Sequence, residues 1–382
     1  MTFISWLAIP ILGVVLMIAL DLMRGNRTIR DLSSVPVIWG NLPRVSLIVA
    51  ARNEARHIRE ALQSHLALDY PDYELIVVND RSEDETGLIL DDMAFHQPRL
   101  SVIHLDSLPP GWLGKNHALY LGAKQADGDL FLFTDADIVM RPSVLTRAVC
   151  LMRDQGLDHL TVSPSITMPT HVLQIFGASF VIFFAMFVRP WKVRDPKSSC
   201  HVGIGAFNLI RSDVYRSVGG HEVIRLRPDD DVKLGKIVKQ GGYCSDFAFG
   251  KDLMSVEWYA SVGEVIRGLE KNAFAGCDYR ISLVLFGVAF LLVFAVWPYL
   301  AVVVCEGTSK IIYGAVVLIW TLVYADCASF NGFHRCYALG FPLATVLFIW
   351  IVLRTMVLNL AQGGIRWRGT FYSLKELKTN RI

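Results

Sequence analysis

The sequence is short of net charge: 37 lysines and arginines stand against 35 acids over 382 residues, a formal balance of +2. A chain so close to neutral carries no electrostatic footprint for nucleic acid, and no nucleic-acid partner is expected. Charge of either sign is scarce, 19% of residues against 53% hydrophobic, which is too apolar for an ordinary soluble protein. The seven cysteines contain no C-x-x-C pair, so the spacing suggests neither a zinc site nor a disulfide framework and fits a reducing compartment. Internal repeats and low-complexity tracts are absent. No small-residue cleavage site closes the first apolar run. Arg24, Arg27 and Arg30 follow it instead, which excludes a signal peptide and predicts a retained anchor with its carboxyl end in the cytosol. On that topology the sequon Asn26-Arg27-Thr28 lies on the wrong side for glycosylation.

The apolar excess is gathered at the two ends. Residues 3–20 are long enough to span a bilayer, and 281–304, 311–325 and 339–361 are further candidates. The expected organisation is an amino-terminal anchor over 1–23, a cytosolic α/β domain over 24–280, a membrane region over 281–361 and a basic tail over 362–382. The whole would be an integral protein of the cell inner membrane. One anchor plus three later spans puts the tail outside, whereas Arg366, Arg368, Lys375, Lys378 and Arg381 favour the inside; Pro298 and Pro342 mark candidate breaks.

The middle of the chain alternates strand-like and helix-like runs. The stretch "VSLIVAARNEA" reads as a buried strand running into a polar turn, "HIREALQSHLAL" has helical period, and "YELIVVNDRSEDET" repeats strand, turn and helix. A third strand, "SVIHL", precedes "LPPGWLGKNHAL", where Lys115 opens a helix, and a fourth, "DLFLFTDAD", ends in Asp135 and Asp137. Strand and helix in alternation predict a doubly wound, mostly parallel sheet, which places ligands at the carboxyl ends of its strands. Glu54, Asp80, Lys115, Asp135 and Asp137 all fall there. Two carboxylates one residue apart suit a hard cation bridging to phosphates, although an acid pair on a solvated turn is common. A lysine at a helix start suits a diphosphate, or is simply a solvated surface lysine.

Four later features complete the pattern. Residues 172–188 are apolar and of borderline spanning length. A crossing there would separate Asp137 from the later acids, so an interfacial helix over 172–191 is expected, with a buried core helix as the competing reading. Gly203 and Gly205 read as turn residues, or as room for a substrate. Asp229, Asp230 and Asp231 open a helix; one of them is accounted for as a cap, and three leave something over. Arg267 and Lys271, four apart on one helical face, suit phosphate or anionic headgroups, or a solvated positive-inside face.

Together these segments resemble the family 2 glycosyltransferases of GT-A fold, within them the membrane-bound enzymes that transfer a single sugar to ceramide, hopanoid or carotenoid-acid acceptors. The resemblance runs from about Val45 to Asn272. "VSLIVAARNEA" is similar to the family's first strand and nucleotide loop, "LIVVNDRSEDET" to its V-D-D-x-S-x-D-x-T segment, "GWLGKNHAL" to its phosphate-side G-K-x-x-A-L loop, "TDAD" to its metal motif and "DDDVKLG" to its E-D-x-x-L acid motif. It implies a nucleotide-sugar donor, in particular a UDP-sugar, held by Ala51, Glu54, Asp80, Lys115, Asp135, Arg267 and Lys271. It further implies a divalent Mg or Mn on Asp137 and Asp135, a membrane-lipid acceptor, inverting transfer, and Asp231 as general base with Asp230 as rival. Asn79 departs from the pattern, standing where many relatives have an acid. The processive Q-x-x-R-W motif is not matched by "QGGIRW" at 362–367, and "GLEKN" at 268–272 resembles the G-F-x-K-N of carotenoid-type enzymes, which argues against a polymerase. A polyprenyl-phosphate acceptor and a non-catalytic membrane scaffold remain the alternatives.

Overall fold

The computed structural model describes residues 3–382 and resolves the chain into two compact units. One is α/β and comprises Ile29–Ile166, Pro190–Glu257 and Asn380–Ile382; the other is helical and comprises the chain up to Thr28, Thr167–Arg189 and Trp258–Thr379.

The α/β unit is built on an eight-stranded sheet. Its spatial order is Arg30–Asp31, Ser245–Phe249, His159–Ser163, Asn208–Arg211, Leu130–Asp135, Val45–Ala51, Tyr73–Asp80, Leu100–Leu105. Every pairing is parallel except the two made by Asn208–Arg211. Near-continuous apolar runs in the central strands follow from helices covering both faces, so that alternate residues enter different cores. Leu47, Val49, Leu75, Val77, Leu130 and Leu132 join one cluster with Ile58, Leu62, Leu90 and Ala148. Ile48, Ile76, Val78, Phe131 and Phe133 join the other with Ala118, Leu119, Tyr215, Leu234 and Val238. Register then sets the carboxyl edge: Ala50 is level with Asp135 and Ala51 with Asn79, so Ala51, Asp80 and Asp135 end neighbouring strands. The helix after the second of these strands begins at Thr86, where Asp84 accepts from the Thr86 main-chain N–H.

Among the described residues five helices are long and apolar enough to cross a membrane, including Trp6–Thr28 at the amino terminus, Ile281–Val304, Gly307–Asn331 and Arg335–Gln362. The fifth, His171–Lys192, lies in the helical unit as far as Arg189, and there Phe180 and Phe183 meet Phe348 at ring-centroid distances of 6.2 and 5.0 Å. Thr161 before it and Asn208 after it are register partners in one sheet.

Two local features of the helical unit follow from composition. Pro298 has no N–H for the carbonyl four residues back, the helix widens to a π turn over Leu292–Val296, and the Trp320 indole N–H donates to that orphaned Phe294 carbonyl at 2.8 Å. Asn26 is buried, with its amide donating to Cys327 Sγ at 3.3 Å, so the sequon is not presented for modification. All seven cysteines are free thiols.

Candidate active site

The acids at the carboxyl edge converge on one lysine. Lys115, on the first turn of the helix Gly114–Gln125, places Nζ 2.8 Å from Asp135 Oδ1 and 3.5 Å from Asp230 Oδ2. Its side chain is largely buried. Burial alone would lower its pKa, but Asp135, Asp230 and Asp231 outweigh that and hold it raised, so the ammonium stays charged. The side chain expected to meet a diphosphate therefore bridges the D-x-D strand and the triple-acid helix.

A glycine joins the same two elements from the other side. Gly205 donates its N–H to Asp231 Oδ2 at 2.9 Å, and its carbonyl accepts from the Asp135 N–H at 2.9 Å. A Cβ on Gly205 would stand 2.4 Å from Asp135 Oδ2, and one on Gly203 would stand 1.7 Å from the Asp231 carbonyl oxygen. Neither glycine has positive φ. Gly205 lies in a turn closed by the Phe207 N–H donating to the Ile204 carbonyl at 3.1 Å, as the turn reading expects, and both glycines are also small because Asp135 and Asp231 of the chain itself approach them.

The triple acid resolves into three different roles. Asp229 forms a two-toothed ion pair with the buried Arg227 at 2.9 and 3.0 Å, with Lys233 at 3.5 Å. Although it occupies the N-cap position it makes no side-chain capping bond, which corrects the expectation of a cap. Asp230 is buried against Lys115. Asp231 is half-buried and accepts from Gly205 and from the Val232 N–H. Burial and the neighbouring Asp230 push the Asp231 carboxyl up to about 7, against the opposing pull of Lys115.

Asp137 lies two residues past the strand end. Burial first, then Asp135 and Glu54, raise it to about 7. Asp137 beside Asp135 and Glu54 concentrates negative charge that a cation would relieve, and a hard divalent ion fits oxygen donors of this kind. Among the described residues no group of three or more His, Cys, Asp or Glu side chains is arranged to hold a metal unaided. Mg²⁺ and similar ions are commonly held by one or two carboxylates with phosphate oxygens and water supplying the rest, so the pair Asp135 and Asp137 fits such an ion in company with a diphosphate.

The nucleotide-side residues are placed less simply. Ala51 is fully buried at its strand end, and Glu54 follows in a loop fixed by donation from its N–H to Thr86 Oγ1 at 2.8 Å. Both oxygens of the buried Asp80 accept from Arg81, at 2.7 and 3.0 Å, and Arg52 stands 3.9 Å away. Gly114 carries no side chain because a Cβ there would lie 2.2 Å from Asp80 Oδ2. Asn79 turns sideways, its amide 3.0 Å from His104 Nδ1. Arg267 and Lys271 lie on the helix Val262–Asn272 in the helical unit, where Lys271 Nζ is 4.5 Å from the centroid of the Trp367 ring. Residues 364–367 form a hairpin strand with Thr370–Ser373.

Arg227, Arg81, Arg52 and Asn116 went unnoticed in the sequence. For Arg227 a signal existed: an arginine two residues before three acids is a ready partner for the first. Asn116 gave none, since its bonds to the Ile224 and Arg227 carbonyls, 2.8 and 2.9 Å, reach across more than a hundred residues.

A mostly parallel sheet with a lysine-centred acid cluster at its carboxyl edge defines an α/β protein of the GT-A class. Residues 46–219 match the model of Glycosyl transferase family 2, and this stretch of the chain is a domain of that family. Among similar proteins is the beta-monoglucosyldiacylglycerol synthase of Synechocystis sp., 34% identical over 170 residues, which are 42% of this chain and 34% of that relative. Another is the 4,4'-diaponeurosporenoate glycosyltransferase of Staphylococcus haemolyticus, 34% identical over 241 residues, 61% of this chain and 62% of that one. The matches thus span about a third and somewhat under two thirds of those relatives. Among solved structures, mannosyltransferase PcManGT from Pyrobaculum calidifontis, in complex with GDP-Man and Mn2+, superposes with a TM-score of 0.58 at 18% identity, covering 91% of this chain and 99% of that one. It supports the fold.

Proposed function

We propose that this chain is an inverting glycosyltransferase that moves one sugar from a nucleotide-diphosphate sugar, a UDP-sugar, to the hydroxyl of a membrane lipid. The observation that carries the reading is the shared contact of Lys115 and Gly205 with both Asp135 and the Asp230–Asp231 turn, which unites donor-side and acceptor-side acids. The lipid acceptor is supported by the names of the cyanobacterial and staphylococcal relatives and by the five apolar helices.

In this reading Asp137 and Asp135 hold a divalent cation, which supplies charge neutralisation for the leaving diphosphate. Asp231 takes the proton of the acceptor hydroxyl: its carboxylate is half-buried and fixed by two main-chain N–H donors, whereas Asp230 is buried and spent on Lys115. Lys115 pairs with both Asp135 and Asp230. Glu54 and Asp80 flank the uridine, with the nucleotide displacing the Arg81 guanidinium from Asp80. Arg267 and Lys271 meet phosphate or headgroups. The helices anchor the protein in the inner membrane with the α/β unit on the cytoplasmic side, and His171–Lys192 lies in the membrane face without crossing it.

The test is incubation of the purified protein with a panel of nucleotide sugars and extracted lipids, followed by mass analysis of the lipid products. Transfer should stop with chelator, return with Mn²⁺ or Mg²⁺, and be abolished by Asp137→Asn and by Asp231→Asn. If Asp231→Asn leaves turnover nearly intact while Asp137→Asn abolishes it, the acceptor is a phosphate and the hydroxyl reading is wrong.

A further inference from the structure

The segment that delivers the three acids is held from two sides. From the Lys115 side, Asn116 donates to the Ile224 and Arg227 carbonyls at 2.8 and 2.9 Å, and the Leu113 N–H donates to the Arg225 carbonyl at 2.9 Å. From the opposite end of the sequence comes Asn380. Its Oδ1 accepts from the Leu226 N–H at 2.9 Å, and its Nδ2 donates to the Val223 carbonyl at 2.7 Å. Two residues on, the Ile382 main-chain oxygen accepts from Lys236 Nζ at 2.6 Å, on the helix Asp230–Gln240 that the acids open.

We infer that Asn380 is a positioning residue for the acid segment: its side-chain amide clamps residues 223–226 and so sets where Asp230 and Asp231 stand. A side-chain amide that satisfies one main-chain donor and one main-chain acceptor three residues apart acts as a short added strand, fixing the chain locally in place of water. The clamp leads directly to the site. Leu226 is followed by the buried Arg227, which grips Asp229 with two bonds, and the next residues are Asp230, against Lys115, and Asp231, against Gly205. From Leu226 to Asp230 every side chain is buried, so a shift at the clamp is passed on to the carboxylates. On the donor side Asp135 is set by strand register, and the Lys115 helix keeps its own bonds to the segment through Asn116 and the Leu113 N–H when the Asn380 amide is removed.

The inference rests on the proposed activity, and its signature differs from that of a general loss of stability. Asn380→Ala should lower kcat for lipid glycosylation roughly tenfold or more, since small displacements of a catalytic group are costly. The KM for the nucleotide sugar should stay within about twofold, and the ratio of lipid transfer to donor hydrolysis should fall. Asn380→Asp, which keeps the acceptor for Leu226 and loses the donor to Val223, should fall between the two. Arg381→Ala, exposed on the same stretch, serves as the control and should match the wild type. Thermal unfolding in detergent is measured on each variant. A kcat unchanged in Asn380→Ala overturns the inference, as does a loss that only tracks the fraction unfolded or one that raises the donor KM equally. A wild-type protein that neither transfers sugar nor hydrolyses any donor in the panel would overturn the proposed function instead.

Discussion

Replacing Gly205 with alanine tests the site at its tightest point. The added Cβ would stand 2.4 Å from Asp135 Oδ2, 3.0 Å from its Cγ and 3.1 Å from Oδ1, all inside ordinary contact. Gly205 is bonded through its N–H to Asp231 and through its carbonyl to the Asp135 N–H, so it cannot retreat without loosening one acid or the other. Asp135 is 40% exposed and can swing outward, but only by giving up its 2.8 Å ion pair with Lys115. Overpacking of this kind costs about 1–3 kcal/mol, a loss the unit can absorb. The chemical cost is greater: a displacement of order 1 Å in a reacting group can remove about a hundredfold in rate. The expected result is a folded variant whose melting point drops by a few degrees and whose kcat falls about a hundredfold. The assay is transfer of labelled sugar to lipid in detergent, with unfolding followed on the same samples. Retention of activity within twofold at unchanged stability would refute the claim that Gly205 spaces the two acids.

Acid should destabilise the α/β unit through its buried histidines. His65 and His159, both fully buried, have their pKa lowered from 6.5 to about 4 by burial, opposed by the Ile138 carbonyl and by Asn208 respectively. A depressed folded-state value means that the unfolded chain takes up protons first as pH falls. The histidine contribution is therefore complete above pH 6.5 and declines down to about pH 4, by roughly 3 kcal/mol for each histidine. Asp137 and Asp231, raised to about 7, act in the opposite sense over the same range, so the test is a difference: between pH 7.5 and 4.5 His65→Gln should lose less stability on acidification than the wild type, and parallel melting profiles would contradict the assignment. In the helical unit, Trp320→Phe keeps the ring and leaves the Phe294 carbonyl unpaired, so thermal stability in detergent should fall by about 1–3 kcal/mol, and an unchanged melting point would show the bond to be dispensable.

The central sheet was legible because local and global signals agree there. Residues 47–50, 75–78 and 130–133 are apolar at every position, which only a strand covered on both faces requires, and each ends in polar residues where the sheet meets its ligand edge. The direction of the antiparallel strand Asn208–Arg211 was not legible, because pairing between Leu130–Asp135 and His159–Ser163 is decided by chain connection and leaves no mark on composition. Chemistry types along the edge could be read, whereas their partners could not. "TDAD" and "DDD" announce carboxylates; nothing in either stretch says that Lys115 lies between them. The cap assigned to the triple acid failed for a related reason, since Arg227 and Lys233 offer Asp229 a stronger partner than the helix N–H groups do.

The arrangement also explains why three consecutive acids are tolerable in a buried corner. An isolated buried carboxylate is costly, and three would be prohibitive unless each had its own partner. Asp229 is matched by Arg227 and Lys233, Asp230 by Lys115, and Asp231 by two main-chain N–H groups without a cation of its own. Lys115 is shared with Asp135, so the cluster of Asp135, Asp137, Asp230 and Asp231 holds more negative charge than its lysine offsets. That imbalance surfaces at Asp137 and Asp231, the two carboxyls raised to about 7. A base is most useful where its proton affinity is high, and a cation site is strongest where uncompensated carboxylates meet. On the proposed function the same excess of acid would equip one end of the cluster for a proton and the other for a metal, with Lys115 between them offsetting their mutual repulsion.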